Sequence, residues 1–117
     1  MTSLSSRPAP PAPVPEPTAF TVLVHLARGR ITVRGDLDRA HVSQLLDAVD
    51  VLSCSHAAQW TIDAAGITFF DVAGLRGLLH ARAVAEQAGC TLVVTRPGGM
   101  LARMLALAEA GTAQPRR

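Results

Sequence analysis

Apolar and polar positions alternate along the first structured stretch of the chain. In "AFTVLVHLARGRITVRG", Phe20, Val22 and Val24 alternate with Thr21, Leu23 and His25, and Ile31 and Val33 alternate with Thr32 and Arg34. A period of two puts one set of side chains on each face of an extended chain, so the pattern predicts two strands. The glycine of "ARGR" supplies the turn between them. The period then changes. In "GDLDRAHVSQLLDAVDVL", Val42, Leu45, Leu46 and Val49 fall at i, i+3, i+4 and i+7, the apolar stripe of an amphipathic helix. Asp38 is placed as its N-cap, with Asp36 beside it at the helix opening.

"QWTIDAAGITFFD" reads as a buried strand with its continuation, in which Asp63 caps a turn at "DAAG". A helix from Val72 to Ala88 follows, opened by Asp71 and stopped by Gly89 as the C′ residue. "TLVVT" is a further short strand. After "RPGG", Leu101, Met104, Leu105 and Ala108 mark a last helix face. The predicted order is β-β-α-β-α-β-α. Helices alternating with apolar strands favour parallel pairing with right-handed crossovers. The expected fold is α/β, a small mixed sheet covered by helices.

The length fits one small domain, and 49 % apolar against 17 % charged residues allows a core. The domain is expected over residues 19–111. Before it, residues 1–18 carry proline at 8, 10, 11, 13, 15 and 17, the composition of an extended, solvated tail. Residues 112–117 are expected to form a flexible end. All basic residues are arginine, and in the sequence they are scattered without a dense run, which argues against nucleic-acid binding. Cys54 and Cys90, in no CxxC spacing, read as reduced, partly buried thiols. No secretion signal and no membrane-length apolar run is visible, so a cytoplasmic protein without membrane insertion is expected.

Candidate chemistry is sparse. His25, His41, His56 and His80 form no metal-ligating helical pair, and Cys54 with His56 lacks further ligands. No serine sits at a strand-to-helix elbow. "RPGGM" lacks the rest of a phosphate-loop pattern and reads as a tight connection. The expectation is a protein that is not an enzyme and holds no cofactor. Asp71 stands out because a carboxylate, small residues and then a glycine surround the opening of a helix.

"TIDAAGITFFDVAGLRGLLHARAVAEQAGCTLVVTRPGGMLARMLALA" resembles a STAS domain, the fold of bacterial anti-sigma factor antagonists. That family's pattern is a strand ending in aspartate, small residues often including serine, then Gly-Leu opening a helix. "VRGDLD", Val33 to Asp38, resembles its other common stretch, Gly-acidic-Leu-Asp before the first helix. The likeness spans about Phe20 to Ala110. It implies a regulator of transcription that binds an anti-sigma factor with a serine-kinase (GHKL-type) fold and so frees a sigma factor. In the family, phosphorylation of a serine directly before Gly-Leu breaks the complex. The resemblance implies a partner-binding face of Gly35, Asp36, Asp38, Asp71, Val72, Ala73, Gly74 and Arg76. At the phosphorylated position this chain has Ala73, preceded by Val72, and neither side chain can accept a phosphate. Thr68 and Ser43 are nearby hydroxyls outside that position. The alternative within the family is a STAS subunit of a lipid-transport or scaffolding (stressosome-like) assembly. The alternative outside it is a small nucleotide-binding protein.

Overall fold

The computed structural model describes residues 20–112, with side chains described through residue 109. The proline-rich stretch expected as a tail lies outside the described residues, as do residues 113–117. Strand β1 (Thr21–His25) leads through a 3₁₀ turn (Leu26–Arg28) into β2 (Arg30–Leu37). Helix α1 (Val42–Leu52), strand β3 (Gln59–Phe70), helix α2 (Val72–Gln87), strand β4 (Thr91–Thr95) and helix α3 (Gly99–Thr112) follow. The order is the predicted one. The four strands form one mixed sheet in the order β1-β2-β3-β4, with β1 antiparallel to β2 and the other pairs parallel.

The alternation seen in the sequence sorts the two faces of this sheet. Ile31 and Val33 of β2 and Trp60, Ile62 and Ala64 of β3 are buried, with Val22, Val24 and Val94 packed against them. The helices close this face with Leu45, Val49 and Leu52 of α1, Leu78, Ala81 and Ala85 of α2, and Leu101 and Leu105 of α3. At about 25 cal/mol per Å² of apolar surface removed from water, this shared core is the main stabilising contribution. The alternate residues, including Thr21, Leu23, His25, Arg30 and Arg34, face solvent. The fold therefore has two layers, helices on one side of the sheet and an open sheet face on the other.

Two glycines set the chain's path where predicted. Gly29 adopts φ 64° and closes the 3₁₀ turn, and Gly89 adopts φ 79° just past α2. Other expectations need correcting. Asp38 does not cap α1, because the helix starts only at Val42 with His41 at its N-cap. The main-chain oxygen of Asp38 accepts from His41 N–H and Val42 N–H, and its Oδ1 accepts from Ala40 N–H. A turn thus separates β2 from α1. Asp36 lies within β2 and opens no helix. Asp63 caps no turn either, since β3 runs without interruption through "DAAG". The β2–β3 register slips twice, between Thr32/Arg34 and between Gly35/Asp36, so bulges absorb the irregularity instead. Cys54 is exposed rather than partly buried, and Cys90 is half-buried with its thiol directed at Ala57 O (3.6 Å).

Candidate functional site

The C-terminal ends of β2 and β3 lie side by side, pairing Leu37 with Phe70. Each strand therefore delivers its following loop to the same end of the sheet. This is why "GDLD" and "DVAGLR", more than thirty residues apart in sequence, form one surface. Asp71 joins them. It has extended backbone (φ −118°, ψ −172°), and its Oδ1 accepts from Gly74 N–H at 2.8 Å, so it is the N-cap of α2. Its Oδ2 accepts from Arg39 N–H at 3.2 Å in the β2–α1 turn, and its own N–H points to Leu37 O at 3.4 Å. One carboxylate thus caps a helix and pins a neighbouring loop. The bond from Gly74 N–H holds the Asp71 carboxyl below the ordinary carboxylate range; desolvation opposes it, and the bond from Arg39 N–H adds a smaller lowering effect. Asp71 is an anion at neutral pH.

Gly74 is buried because the two segments touch there. A Cβ at this position would fall within hard contact of Leu37 O, 2.9 Å from Leu37 C and 3.0 Å from Leu37 Cγ. Gly77, one turn on, packs against the Val42 side chain, which a Cβ there would strike at Cγ2. Gly35 is also buried and takes φ 99° at the second register slip. These glycines shape the surface from beneath.

The exposed part consists of other residues. Val72 is 64 % exposed at the first position of α2, Ala73 is half-buried, and Arg76 is exposed. Asp36 is half-buried and accepts from Thr68 Oγ1 at 2.9 Å, so the only hydroxyl at this end of β3 is already engaged. Asp38 is half-buried and accepts from His41 Nδ1 at 2.9 Å. His41 Nδ1 also lies 3.0 Å from Asp36 O. Both partners are acceptors, which places a proton on Nδ1. The His41 ring stacks on Phe20 with centroids 4.9 Å apart and planes 9° from parallel.

The structure thus brings all eight expected residues to one end of the molecule, two of them buried. It adds residues that sequence reasoning passed over. Arg39 and His41 belong to the same turn, and no sequence pattern distinguishes them from ordinary helix-opening residues. Phe69 (53 % exposed) and Met100 (62 % exposed) extend the apolar surface next to Val72. A groove lined by Phe70, Val72, Leu75, Met100 and Met104 runs between α2 and α3. Phe69 pairs with Asp36 just after the second register slip and faces outward, while Phe70 pairs with the buried Leu37. Among the described residues no group of three or more His, Cys, Asp or Glu could hold a metal ion. No helix among them is long and apolar enough to cross a membrane. The surface presents anionic, apolar and cationic groups side by side.

Comparison with known proteins gives the fold a precedent. The structure entitled "Structure of the Anti-Sigma Factor Antagonist SpoIIAA in its Unphosphorylated Form" superposes with a TM-score of 0.61 at 16 % identity, over 76 % of this chain and 83 % of that one. The Bacillus cell fate determinant SpoIIAA in its phosphorylated form gives 0.60 at 17 %, over 80 % and 86 %. At such identity the likeness establishes a shared fold. No curated protein sequence matches the chain. Residues 21–113 match the family described as "Mlab, STAS domain", which covers nearly the whole described region, and the chain belongs to this STAS domain family.

Proposed function

We propose that this chain is a non-enzymatic, cytoplasmic docking module of the anti-sigma factor antagonist kind. Its partner is an anti-sigma factor with a serine-kinase (GHKL-type) fold. It binds through the α2 start and the β2–α1 turn, and no phosphorylation switch operates at that place. The observation that carries this reading is Val72, an exposed apolar side chain at the opening of α2, flanked by the ionised Asp71 and followed by Ala73. An apolar anchor inside a charged rim is the usual make-up of a protein-binding patch. The solved relative is described in both unphosphorylated and phosphorylated forms. A phosphoryl group brings about −1.5 to −2 charges to such a face and would meet the Asp71 and Asp36 carboxylates. Here Val72 and Ala73 offer no oxygen to carry one, and the Thr68 hydroxyl is bonded to Asp36.

The same lack of a hydroxyl, together with the match to the Mlab STAS family rather than to a family named for antagonists, supports a second reading. In that reading the module is a STAS subunit of a lipid-transport or scaffolding assembly and uses the same face.

Affinity purification of the tagged chain from its native host, with mass spectrometry, separates the two by partner identity. The face is tested with Val72→Asp against whichever partner is found. A carboxylate in the first turn interacts favourably with the helix dipole, so the free protein should melt as wild type does. Binding should weaken by at least about tenfold, roughly 1.4 kcal/mol. An unchanged affinity would place the partner elsewhere and remove the reading's support.

A further inference from the structure

The sheet face turned away from the helices has its own chemistry. Pairing places Leu23, Thr32, Asp63 and Thr95 in one row across it, and His25, Arg30, Thr61 and Val93 in the next. Arg34 lies beyond, opposite Thr21 and Gly66. Arginines that are scattered without a dense run in the sequence thus converge on one face. Arg30, Arg34 and Arg96 surround one carboxylate, that of Asp63. That carboxylate is already satisfied, since Oδ1 accepts from Ala65 N–H (3.1 Å) and Oδ2 from Arg96 Nη2 (2.6 Å). The Arg96 side chain is 68 % exposed, and among the described residues its Nη2 bond to Asp63 is its one ion pair, which leaves further guanidinium N–H groups to offer a ligand. Neither Arg30 nor Arg34 has an ion pair among the described residues.

Between Arg34 and Arg96 is a depression of about 550 Å³, lined also by Thr21, Thr32, Asp63, Ala65 and Gly66. It exists because the bulged part of β3 carries small residues, and the stem of Arg34 lies over Gly66, where a Cβ would meet Arg34 Cγ at 2.7 Å. Arg96 is held at φ 54°, the only non-glycine residue with positive φ among those described. Strained backbone of this kind persists where its surroundings fix it and is concentrated at functional sites. Leu23 (62 % exposed) and Val93 (39 % exposed) lie on the same face.

We propose that this open face is a second docking surface, separate from the α2 start, and that it takes a carboxylate-rich segment of a protein partner seated between Arg34 and Arg96. The charge complementarity is direct: three guanidinium groups face one internally satisfied carboxylate. Planar guanidinium groups bind carboxylates in paired, directional hydrogen bonds. The threonine hydroxyls add donors, and Leu23 and Val93 add apolar contacts. Single-stranded nucleic acid fits less well, because its bases need aromatic platforms and these rows hold no Phe, Trp or Tyr, only the His25 ring at the sheet edge.

The test uses the full chain and a fluorescent, N-acetylated hexaglutamate peptide, followed by anisotropy at matched ionic strength and mapped by amide NMR shifts. Binding should perturb Thr21, Thr32, Ala65 and Gly66. Arg34→Gln should weaken it by roughly tenfold, while Arg103→Gln on α3 should leave it within about twofold. If Arg34→Gln disturbs the fold, Thr32→Glu places a carboxylate in the depression and should abolish binding. Equal losses for Arg34→Gln and Arg103→Gln would reduce the effect to net charge and overturn the proposal. Shifts confined to the α2 start would do the same. Displacement by inorganic phosphate at constant ionic strength would assign the depression to a small anion instead. A roughly tenfold tighter peptide affinity on Glu16→Gln would show that the chain's own N-terminal segment occupies the face, which equally overturns a partner's role.

Discussion

Gly74→Ala tests the packing that assembles the docking face. A methyl group there would press on Leu37, with its carbonyl carbon at 2.9 Å and its Cγ at 3.0 Å, and the carbonyl oxygen closer still. The obstacle is mostly backbone, so no rotamer change relieves it. The start of α2 and the end of β2 must separate by roughly 1 Å, at the cost typical of overpacking, about 1–3 kcal/mol and here near the upper end. Alanine's better helix propensity returns about 1 kcal/mol. The net expected loss is therefore about 2 kcal/mol. For a domain of this size 1 kcal/mol corresponds to about 4–8 °C, so the melting temperature should fall by about 8–16 °C. The separation also stretches the bonds from Asp71 N–H to Leu37 O (3.4 Å) and from Arg39 N–H to Asp71 Oδ2 (3.2 Å). Amide exchange at Arg39 should accelerate more than the global loss requires. The assay is urea denaturation with hydrogen exchange, and Gly89→Ala is the comparison. At Gly89 a Cβ meets nothing within 4 Å, but φ is +79°, so only the left-handed strain of about 1–2 kcal/mol applies and Arg39 exchange should follow global stability. A Gly74→Ala protein as stable as wild type would refute the close approach of α2 to Leu37 O, and with it the account of how the two loops form one surface.

Other expected outcomes follow from the same geometry. Ala73→Ser should supply the missing acceptor, and an anti-sigma kinase partner with ATP should label the peptide spanning Asp71 to Leu75, whereas wild type should stay unlabelled there. Mass spectrometry of both proteins decides it. Asp71, with its carboxyl held below the ordinary value, stabilises the fold above the unfolded carboxylate range, and that contribution is lost as pH falls through the lower folded value. Acid titrations of stability should therefore show a shallower decline below about pH 4 for Asp71→Asn than for wild type. Gly77→Ala should be destabilising too, but less than Gly74→Ala, because it meets the Val42 side chain rather than a carbonyl. Equal melting temperatures for these two variants would contradict that distinction.

The sequence by itself determined the element order and the sorting of side chains into core and surface. A period of two in β1 and β2 and the i, i+3, i+4 stripe of α1 encode which atoms leave water, and this is a local property. Asp71 as a helix cap and Gly89 as a helix stop were legible for the same reason: each satisfies or permits backbone geometry within a few residues of itself. Tertiary structure decided what depends on register and on distant partners. Asp38 looked like a cap, but the turn after β2 delayed the helix to Val42. "DAAG" looked like a turn, but pairing of Asp63 and Gly66 with β2, and of Asp63 with β4, kept it in the strand and turned the mismatch into a bulge. That irregularity made the depression beneath Arg34. The arginines looked dispersed because a sheet collects residues by strand pairing, not by sequence distance, and Arg34 and Arg96 meet only across β3. Gly74 could be read as part of a motif, but the reason for it is the oxygen of Leu37, thirty-seven positions earlier. Close approach between segments is a contact between two parts of the fold, and only the folded chain contains it.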